Sequence, residues 1–483
     1  MITLEKILKG TNPTKIIGNQ DITITSICID SRESVSGSLF AALVGTNIDG
    51  HRHIDDAIKS GATAVVCQVI PENINPQAVY IQVADSSEAI GVIASNFYGN
   101  PSQKLKLVGV TGTNGKTTTA SLLYDVFRSM MTPAGLFSTI KILINDKEYP
   151  APHTTPVSIE LNRIMAQMVD DDCEYCFMEV SSHSVEQKRI AGLTFAGGIF
   201  TNITQDHLDY HKTMEQYIRA KQKFFDKLPQ TAFALTNIDD KNGNIMLQNT
   251  KAKRFTYALK RLADYKSRII SKEMEGMLLE FDGSEFWTPL IGEFNAYNML
   301  AVYATLMILG FEKEETLTVL SNLRPVKGRF ERYRSESGIY VIVDYAHTPD
   351  AVANVLTTIN DIRLGSERVF TVIGAGGDRD KTKRPLMAKE AARYSDILIL
   401  TSDNPRSESP EVIIEEMKQG LTGNINCTFF TIPDRKEAIK VACTMAVKGD
   451  IVLIAGKGHE TYQEIQGKRF PFDDMSIAVD FLK

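Results

Sequence analysis

Residues 107–118, which read LVGVTGTNGKTT, decide the fold that this sequence predicts. Leu107, Val108 and Val110 indicate a short buried strand, and the glycine turn that follows leads into an apolar helix starting at Lys116. A strand, a glycine-rich loop and a helix in this order bind phosphate, because backbone N–H groups and a lysine converge on the anion. The sequence therefore predicts a phosphate-binding loop formed by Gly112, Thr113, Asn114, Gly115, Lys116, Thr117 and Thr118.

The match to the common phosphate-loop pattern is incomplete at one position. Val110 stands where that pattern has glycine, six residues before Lys116. The alternative is a glycine turn before an ordinary helix, which would require Gly-Lys-Thr-Thr at a strand–helix junction by chance. In the phosphate-loop interpretation Lys116 neutralises phosphate charge, and the Thr117 hydroxyl can ligate Mg²⁺.

The composition describes a protein of several domains. The 483 residues are too many for one hydrophobic core, and 43% hydrophobic with 23% charged residues is typical of soluble globular proteins. The formal net charge of −6 argues against nucleic acid or an anionic membrane as a main partner. Since neither a signal peptide nor a membrane span is found, we expect a cytoplasmic protein with six reduced cysteines. Cys173 and Cys176 are expected in a buried strand rather than in a zinc site.

Residues 1–103 predict a small α/β domain ahead of the phosphate loop. Residues 22–29 alternate like a strand and residues 64–67 form another, with a short amphipathic helix between them. Asp30-Ser31-Arg32 follows the first strand, and by itself this tripeptide is a turn with an ion pair. Residues 99–102, GNPS, mark the boundary to the next domain.

Residues 104–325 form the central domain, in which acidic side chains follow two further apolar strands. The strand at residues 173–180 contains Glu179 at its end, and an acid at that edge of a parallel sheet faces the nucleotide and commonly holds Mg²⁺. A glutamate without such a role would be a poorly placed buried charge. The second strand, residues 198–200, leads to four candidate metal-binding or proton-transfer groups: Asp206, His207, Asp209 and His211. A solvated acidic loop is the alternative for these four residues.

Residues 326–483 predict a doubly wound α/β domain with a parallel sheet. Four apolar strands, at residues 340–343, 369–373, 397–400 and 451–454, alternate with helical segments. Ligands of such sheets bind at the carboxyl ends of the strands, where these loops carry glycine and charged residues. One loop, GAGGDRDK, is glycine-rich but lacks the spacing of a dinucleotide-binding loop.

Seven segments, taken together, are similar to motifs of the Mur ligases of bacterial cell-wall synthesis. They are residues 112–117 (GTNGKT), 179–183 (EVSSH), 202–211 (NITQDHLDYH), 220–221 (AK), 292–298 (GEFNAYN), 327–331 (KGRFE) and 344–349 (DYAHTP). The resemblance covers essentially the whole chain, although Lys327 stands where the family usually has proline. It implies a three-domain enzyme that uses ATP to activate a carboxylate and then forms an amide bond.

By this resemblance Lys221 is carried as a carbamate, formed when CO₂ adds to its neutral amine. The carbamate is an anionic oxygen ligand, and the resemblance implies a Mg²⁺ site shared with Thr117, Glu179 and His207. A lysine supports this chemistry when enclosure lowers its pKa. The resemblance assigns Lys116, Glu179, His207 and Lys221 to catalysis. It adds three residues to the ATP site: Asn298, Arg329 and Asp344.

The N-terminal domain is implied to bind the UDP end of a UDP-muramoyl dipeptide. Ser31 is its expected contact, and the dipeptide is expected to meet the central domain. The residues implied there are Thr154, Thr155, Ser181, Gln187 and Arg189. At His153 some relatives have asparagine, so the contact of that residue stays open.

Residues 403–406, DNPR, resemble the signature of the family members that add meso-diaminopimelate. The distal end of this amino acid carries a carboxylate as well as an amine, whereas lysine ends in an amine alone. Arg406 offers a planar fork for that carboxylate, and Asn404 is a neutral hydrogen-bonding partner beside it. The implied site for the added amino acid consists of Arg379, Asp403, Asn404, Pro405, Arg406, Gly456 and Glu460.

Several alternatives stay open within and outside the family. L-lysine could be the added amino acid, or the chain could be a different Mur-type ligase. Folylpolyglutamate synthetase shares the phosphate loop and the modified lysine, but it begins near that loop, whereas residues 1–103 precede it here. A GTPase would need an Asn-Lys-x-Asp motif, and the nearest stretch, residues 237–239, lacks the lysine.

The substrates implied are small molecules: a UDP-N-acetylmuramoyl dipeptide, ATP and meso-diaminopimelate. We expect a monomer that has neither nucleic acid nor membrane as a partner. The base that deprotonates the attacking amine stays open between His207 and a carboxylate.

Overall fold

The computed structural model describes residues 2–45, 49–150, 154–422 and 426–483, and these residues form three main β-sheets flanked by helices. The sheets follow one another along the chain, which confirms the predicted three-part α/β architecture. All six cysteines are buried free thiols. Among the described residues, no helix combines the length and the apolar character needed to cross a bilayer.

In the described ranges, the N-terminal part contains seven strands, five of them in one sheet and two in a separate pair. Its strands are β1 (Ile2–Thr3), β2 (Lys15–Ile17), β3 (Thr23–Ile24), β4 (Ser26–Cys28), β5 (Ser38–Ala41), β6 (Ala62–Cys67) and β7 (Val79–Gln82), and its helices are α1 (Leu4–Ile7), α2 (Ile54–Lys59), α3 (Ser86–Phe97) and α4 (Pro101–Lys104). The strand order is β2-β7-β6-β5-β4, parallel except for β2. The single strand predicted at residues 22–29 is wrong, because β3 pairs with β1 while β4 joins the sheet beside β5.

The central part contains the phosphate loop and an eleven-stranded sheet. Its strands are β8 (Lys106–Thr111), β9 (Ala134–Phe137), β10 (Lys141–Ile144), β11 (Lys147–Pro150), β12 (Tyr175–Glu179), β13 (Gly197–Phe200), β14 (Phe233–Asn237), β15 (Lys253–Ala258), β16 (Tyr265–Glu273), β17 (Gly276–Phe281) and β18 (Ser284–Thr288). Its helices are α5 (Lys116–Ser129), α6 (Ser158–Asp170), α7 (Ser182–Glu186), α8 (Leu208–His211), α9 (Met214–Asp226), α10 (Gly243–Met246), α11 (Glu293–Leu309) and α12 (Lys313–Asn322).

The central sheet has the order β11-β10-β9-β12-β8-β13-β14-β15-β16-β17-β18. The strands from β9 to β16 in this order are parallel, as predicted, and antiparallel hairpins extend both edges. The phosphate loop leaves the buried strand β8 and enters α5 at Lys116, which confirms the predicted strand–loop–helix unit. Because β12 and β13 flank β8, the residues after all three strands meet at one edge of the sheet.

The C-terminal part is a six-stranded, mostly parallel sheet with an added hairpin. Its strands are β19 (Glu331–Arg334), β20 (Tyr340–Asp344), β21 (Val369–Ile373), β22 (Ile397–Leu400), β23 (Thr428–Thr431), β24 (Ile451–Ala455), β25 (Tyr462–Ile465) and β26 (Lys468–Pro471), and its helices are α13 (Pro349–Ile362), α14 (Lys383–Tyr394), α15 (Pro410–Lys418), α16 (Arg435–Met445) and α17 (Asp474–Leu482). The order is β19-β20-β24-β21-β22-β23, and only β19 is antiparallel. All four predicted strands are confirmed.

Two glycines let helix α9 lie unusually close to the central sheet. Gly109 of β8 pairs with Gly198 of β13, and both lie beneath the ring of Phe224. A Cβ atom on Gly109 would come within 2.6 Å of that ring, and one on Gly198 within 2.8 Å. Since Lys221 precedes Phe224 by one helical turn, this close packing also carries Lys221 to the phosphate loop.

A fully buried ion pair joins the last two helices of the chain. Arg435 at the start of α16 donates to both carboxylate oxygens of Asp474 at the start of α17, at 2.8 and 2.7 Å. Neither side chain is exposed to solvent. The same guanidinium also donates to the backbone oxygens of Ser402 and Ala455, so the pair supports two loops at the carboxyl edge of the sheet.

Asp474→Ala is expected to lower the free energy of unfolding by about 3–5 kcal/mol, because it leaves a buried guanidinium unpaired. Chemical denaturation followed by circular dichroism measures this loss. The matched control is Glu215→Ala, which removes an exposed ion pair with Arg219 on α9 and should cost less than about 1 kcal/mol. A loss for Asp474→Ala no larger than that of the control would contradict the prediction.

Candidate active site

A cleft of about 930 Å³ lies between the carboxyl edges of the central and C-terminal sheets. It is lined by predicted site residues from both: Thr113, Asn114, Gly115, Lys116, Thr117, Thr118, Thr154, Thr155, Glu179, Ser181, Arg189, His207, Lys221, Asn298, Arg329, Asp344, Arg379, Asp403, Asn404, Arg406, Gly456 and Glu460. Four predicted residues are not part of the lining: Ser31, Gly112, Gln187 and Pro405. His153 lies outside the described residues.

The conformation of the phosphate loop requires glycine at two positions, because a side chain there would clash with its neighbours. Gly112 and Gly115 have φ angles of 156° and 85°. A Cβ on Gly112 would overlap the hydroxyl of Thr201, and one on Gly115 would lie 2.5 Å from Oδ1 of Asn298. The Thr201 hydroxyl in turn donates to the backbone oxygen of Asn114 at 2.6 Å. The loop is therefore shaped before any anion arrives.

Two lysine side chains donate to one backbone oxygen at the base of this loop. Lys116 Nζ lies 3.0 Å and Lys221 Nζ 2.7 Å from the carbonyl oxygen of Gly112. Lys221 is almost fully buried, with its Nζ 4.8 Å from the centre of the Tyr217 ring. Burial lowers the pKa of Lys116, and burial together with the neighbouring Lys116 lowers the pKa of Lys221 well below its usual range. Lys221 is thus a lysine that readily loses its proton.

Glu179 is completely buried at the end of β12 and faces the same loop. Its Oε1 accepts from the backbone N–H of Thr139 at 2.6 Å, and its Oε2 accepts from the Thr139 hydroxyl at 3.2 Å. The carboxylate also acts electrostatically on Lys116, opposing the effect of burial on the pKa of that lysine. Thr139 follows β9, and the sequence offered no signal for it because it is an ordinary threonine in a loop.

Asp206 and His207 reach the cleft together. His207 has φ 54°, and its Nε2 lies 3.4 Å from Asp206 Oδ2. Burial lowers the pKa of His207, so its imidazole is neutral at neutral pH. Burial alone would raise the pKa of Asp206, but His207, His347 and Lys383 outweigh it and lower that pKa. The pair therefore presents an ionised carboxylate beside a neutral imidazole.

His211, the last of the four residues predicted after β13, has a different environment. Its side chain is buried, and its Nε2 lies 2.8 Å from the hydroxyl of Ser182. Within the described residues, no group of three or more His, Cys, Asp and Glu side chains is arranged to hold a metal ion.

Residues that follow the central sheet in the sequence form hydrogen bonds with the phosphate loop. Arg329 donates through Nη2 to the Thr117 hydroxyl at 3.1 Å, and its guanidinium lies 4.4 Å from the centre of the Tyr345 ring. Asn114 of the loop donates to Asp350 of α13 at 3.0 Å. Asp344 accepts from the backbone N–H of Phe330 at 2.7 Å.

The carboxyl of Asp344 lies between these contacts. Burial raises its pKa to about 6, against the effect of the neighbouring Arg329. Arg329 thus acts on the Asp344 carboxyl and also donates to Thr117 of the phosphate loop.

The residues predicted for the dipeptide form one hydrogen-bonded group beside Glu179. The Thr154 hydroxyl lies 3.1 Å from the Thr139 hydroxyl, and the Thr155 hydroxyl donates to the backbone oxygen of Glu179 at 2.9 Å. Arg189 donates to the Thr155 backbone oxygen at 2.7 Å. The Ser181 hydroxyl caps α7, and Gln187 accepts two hydrogen bonds from Arg189.

Ser31 is the one predicted substrate contact that lies on the N-terminal sheet. It starts a single turn of 3₁₀ helix after β4, and the adjacent Asp30 and Arg32 form an ion pair at 2.6 Å. The turn with an ion pair that the tripeptide suggests on its own is therefore present. Ser31 is not brought to the cleft.

The residues predicted for the added amino acid form a buried polar network. Asn404 Nδ2 donates to Glu460 Oε2 at 2.6 Å, and Lys457 Nζ donates to Asn404 Oδ1 at 3.0 Å and to Glu460 Oε2 at 3.2 Å. Burial, reinforced by the neighbouring Asp403, raises the pKa of Glu460. A Cβ on Gly456 would lie 2.5 Å from Asp403 Oδ2.

The sequence analysis missed Lys457, although it stands between Gly456 and Gly458 directly after β24. Its side chain is completely buried, which a loop position does not suggest. Its position after the carboxyl end of β24 could have indicated a site residue, because ligands of such sheets bind at that edge.

Comparisons with known proteins agree over the whole chain. The model of the Mur ligase family catalytic domain matches residues 23–98, that of the Mur ligase middle domain matches residues 110–306, and that of the Mur ligase glutamate ligase domain matches residues 328–458. The chain is 55% identical to the UDP-N-acetylmuramoyl-L-alanyl-D-glutamate–2,6-diaminopimelate ligase of Bacteroides fragilis, with 98% of each chain covered. It is 43% identical to the ligase of the same name from Geobacillus kaustophilus, with 95% of each chain covered.

Solved structures show the same relationship. A UDP-N-acetylmuramoyl-L-alanyl-D-glutamate–2,6-diaminopimelate ligase superposes with a TM-score of 0.71 and 31% identity, covering 100% of this chain and 98% of the other. A folylpolyglutamate synthase from Mycobacterium tuberculosis has a TM-score of 0.60 at 16% identity, covering 75% of this chain and 91% of its own, so the likeness extends to the fold alone. With full-length relatives of this similarity, the chain belongs to the Mur ligase family.

Proposed function

We propose that this protein joins meso-diaminopimelate to the D-glutamate of UDP-N-acetylmuramoyl-L-alanyl-D-glutamate, with conversion of ATP to ADP and phosphate. The observation that carries the proposal is that one cleft contains both the phosphate loop and the arginine loop of residues 403–406. The names of the relatives that match the whole chain support the same reaction. ATP would bind along the loop and beside Asn298, Arg329 and Asp344.

The reaction runs in two steps. The D-glutamate side-chain carboxylate attacks the γ-phosphorus of ATP, ADP leaves, and an acyl phosphate forms. The neutral amine of the amino acid then attacks the acyl carbon, phosphate leaves, and an amide remains. Lys116 and the loop N–H groups stabilise the charge on the transferred phosphoryl group. The low pKa of His207 makes it a weak base, which favours a ligand role over proton abstraction.

The donor set fits Mg²⁺ once Lys221 carries a carbamate. Thr117, Glu179, His207 and the Lys221 carbamate would hold the ion, which would neutralise charge on the phosphates of ATP. The lysine is buried, and burial together with the Lys116 ammonium lowers its pKa strongly. Addition of CO₂ to the neutral amine, with release of one proton, would give an anion beside Lys116 in place of a second buried cation.

The remaining expectations belong to the same proposal. The N-terminal domain, residues 1–103, would bind the UDP end of the substrate through Ser31, and the dipeptide would lie along Thr154, Thr155, Ser181, Gln187 and Arg189. Residues 104–325 would bind ATP and residues 326–483 the amino acid. The protein would act in the cytoplasm as a monomer on small molecules, without a nucleic acid or membrane partner.

L-lysine as the added amino acid is the second candidate. Both amino acids offer an amine to the acyl phosphate, so the distal end decides between them. Arg406 and the Asn404–Glu460 pair line the cleft, and together they match a distal group that carries a carboxylate and an ammonium. This combination favours meso-diaminopimelate.

Phosphate release should be measured with purified protein, ATP, Mg²⁺ and the UDP-muramoyl dipeptide. We expect release when meso-diaminopimelate is added, and far less release when L-lysine is added instead. Arg406→Ala should lower kcat/KM for meso-diaminopimelate by about 10- to 100-fold, the effect of one lost charge-assisted hydrogen bond or pair. The matched control is Arg393→Ala, an exposed arginine at the end of α14, which should change little. Release that depends on lysine would overturn the assignment of the amino acid.

Lys221 should carry a carbamate at neutral pH, because burial keeps its amine neutral, whereas the exposed Lys223 on the same helix should not. Carbon-13 NMR in ¹³C-bicarbonate should show one carbamate carbonyl signal in wild type and in Lys223→Ala, and none in Lys221→Ala. Lys221→Ala should also lose most phosphate release. A signal that persists in Lys221→Ala would assign the modification to another residue.

A further inference from the structure

The two arginines proposed to meet the added amino acid lie on different loops but pack against one glycine. Arg379 follows β21 and Arg406 follows β22. A Cβ on Gly376 would lie 3.0 Å from Arg406 Nη1 and 3.6 Å from Arg379 Cγ. Arg406 also donates to the backbone oxygen of Gly377 at 2.7 Å. The separation of the two arginine side chains therefore depends on how the two loops are held together.

A third arginine, Arg384, forms hydrogen bonds with both of these loops. Its side chain is completely buried at the start of α14. Nη1 and Nη2 donate to the two carboxylate oxygens of Glu408 at 2.9 and 2.8 Å, a bidentate pair. Nη2 also donates to the backbone oxygen of Gly376 at 3.0 Å, and Nη1 donates to Glu416 of α15 at 2.6 Å. One guanidinium thus contacts both loops and the helix behind them.

Glu408 completes the connection from the second loop. Its Oε1 accepts from the backbone N–H of Asp378 at 2.6 Å, and Lys381 lies 3.1 Å from its Oε2. The carboxylate of Asp378 accepts in return from the Ser407 hydroxyl at 2.6 Å. The hydrogen bond from Arg384 lowers the pKa of Glu408 to about 2, so the carboxylate is ionised at neutral pH. The Arg384–Glu408 pair thus connects the two loops through hydrogen bonds with Gly376 and Asp378.

We propose that Arg384 and Glu408 are positioning residues that set the spacing of Arg379 and Arg406, and thereby the preference for an amino acid with two carboxylates. Neither residue lines the cleft, so each acts through the loops rather than on the substrate. A bidentate pair between a buried guanidinium and a carboxylate fixes both distance and orientation. Recognition that depends on two arginines at once is sensitive to displacements of about 1 Å. The proposal rests on the function proposed above.

The test compares Arg384→Lys and Glu408→Gln with wild type. The first keeps the charge but loses the fork, and the second keeps the shape but loses the charge. In both, the KM for meso-diaminopimelate should rise at least about tenfold while the KM for ATP stays within about twofold, because the phosphate loop is not touched. The ratio of kcat/KM for meso-diaminopimelate to that for L-lysine should fall.

The matched control is Arg368→Lys. Arg368 also forms an ion pair, donating through Nε and Nη2 to Oδ2 of Asp450. This pair lies at the opposite end of the same sheet. This variant should leave the KM for meso-diaminopimelate unchanged. The proposal would be overturned if Arg384→Lys and Glu408→Gln lost activity equally with every substrate and kept the wild-type KM for meso-diaminopimelate. Arg384 and Glu408 would then have a structural role only.

Hydrogen–deuterium exchange gives a readout that does not need the reaction. Glu408→Gln weakens the acceptor of the Asp378 amide, so a peptide covering residues 376–379 should exchange faster than in wild type. Unchanged exchange would refute the link between the loops. Wild-type protein that releases no phosphate with either amino acid would refute the proposed function instead, and exchange would still decide whether the pair holds the loops.

Discussion

Two ammonium groups that share the carbonyl oxygen of Gly112 are the interaction on which the site depends. Lys116 and Lys221 both lie within 3.0 Å of that oxygen. They are therefore no more than about 6 Å apart, and their repulsion amounts to at least about 3 kcal/mol in surroundings of intermediate polarity. The site relieves it by binding an anion or by losing one of the charges. Since the pKa of Lys221 is lowered well below its usual range, by burial and by Lys116, Lys221 is the one that gives up its proton.

The packing that brings the two lysines together is formed by residues without polar side chains. Gly109 and Gly198 allow Phe224 to approach the sheet, and the helix then places Lys221 under the loop. On the opposite wall, Arg329 and Asp350 tie the loop to the C-terminal sheet. The phosphate loop and the residues proposed to bind the added amino acid thus lie on separate sheets, and hydrogen bonds of Arg329 and Asp350 connect the two.

Local pattern predicted the elements well where strands are continuous and buried. The strands Val369–Ile373 and Ile397–Leu400 have the predicted bounds, because strands covered on both faces are uninterrupted apolar runs. The split of residues 22–29 was not predictable, since β3 and β4 look alike until their partners are known. Lys221 has no local signal, because burial of a lysine depends on distant packing, and the only signal for Lys457 is its position at the end of β24. The phosphate loop needed only its own residues, whereas the interpretation of the DNPR loop depended on the family resemblance of the whole chain.

The backbone of Arg406 shows that its loop is not shaped for stability alone. Its φ of 54° lies in the left-handed region, where glycine or asparagine would be comfortable and a long side chain costs about 1 kcal/mol or more. The backbone oxygen of Glu464 on β25 accepts the N–H of Arg406, and the N–H of Gln466 donates to the Arg406 oxygen, so residues outside the loop hold this conformation. Glycine or asparagine at this position would relieve the strain, but either would also remove the guanidinium that is proposed to bind the added amino acid.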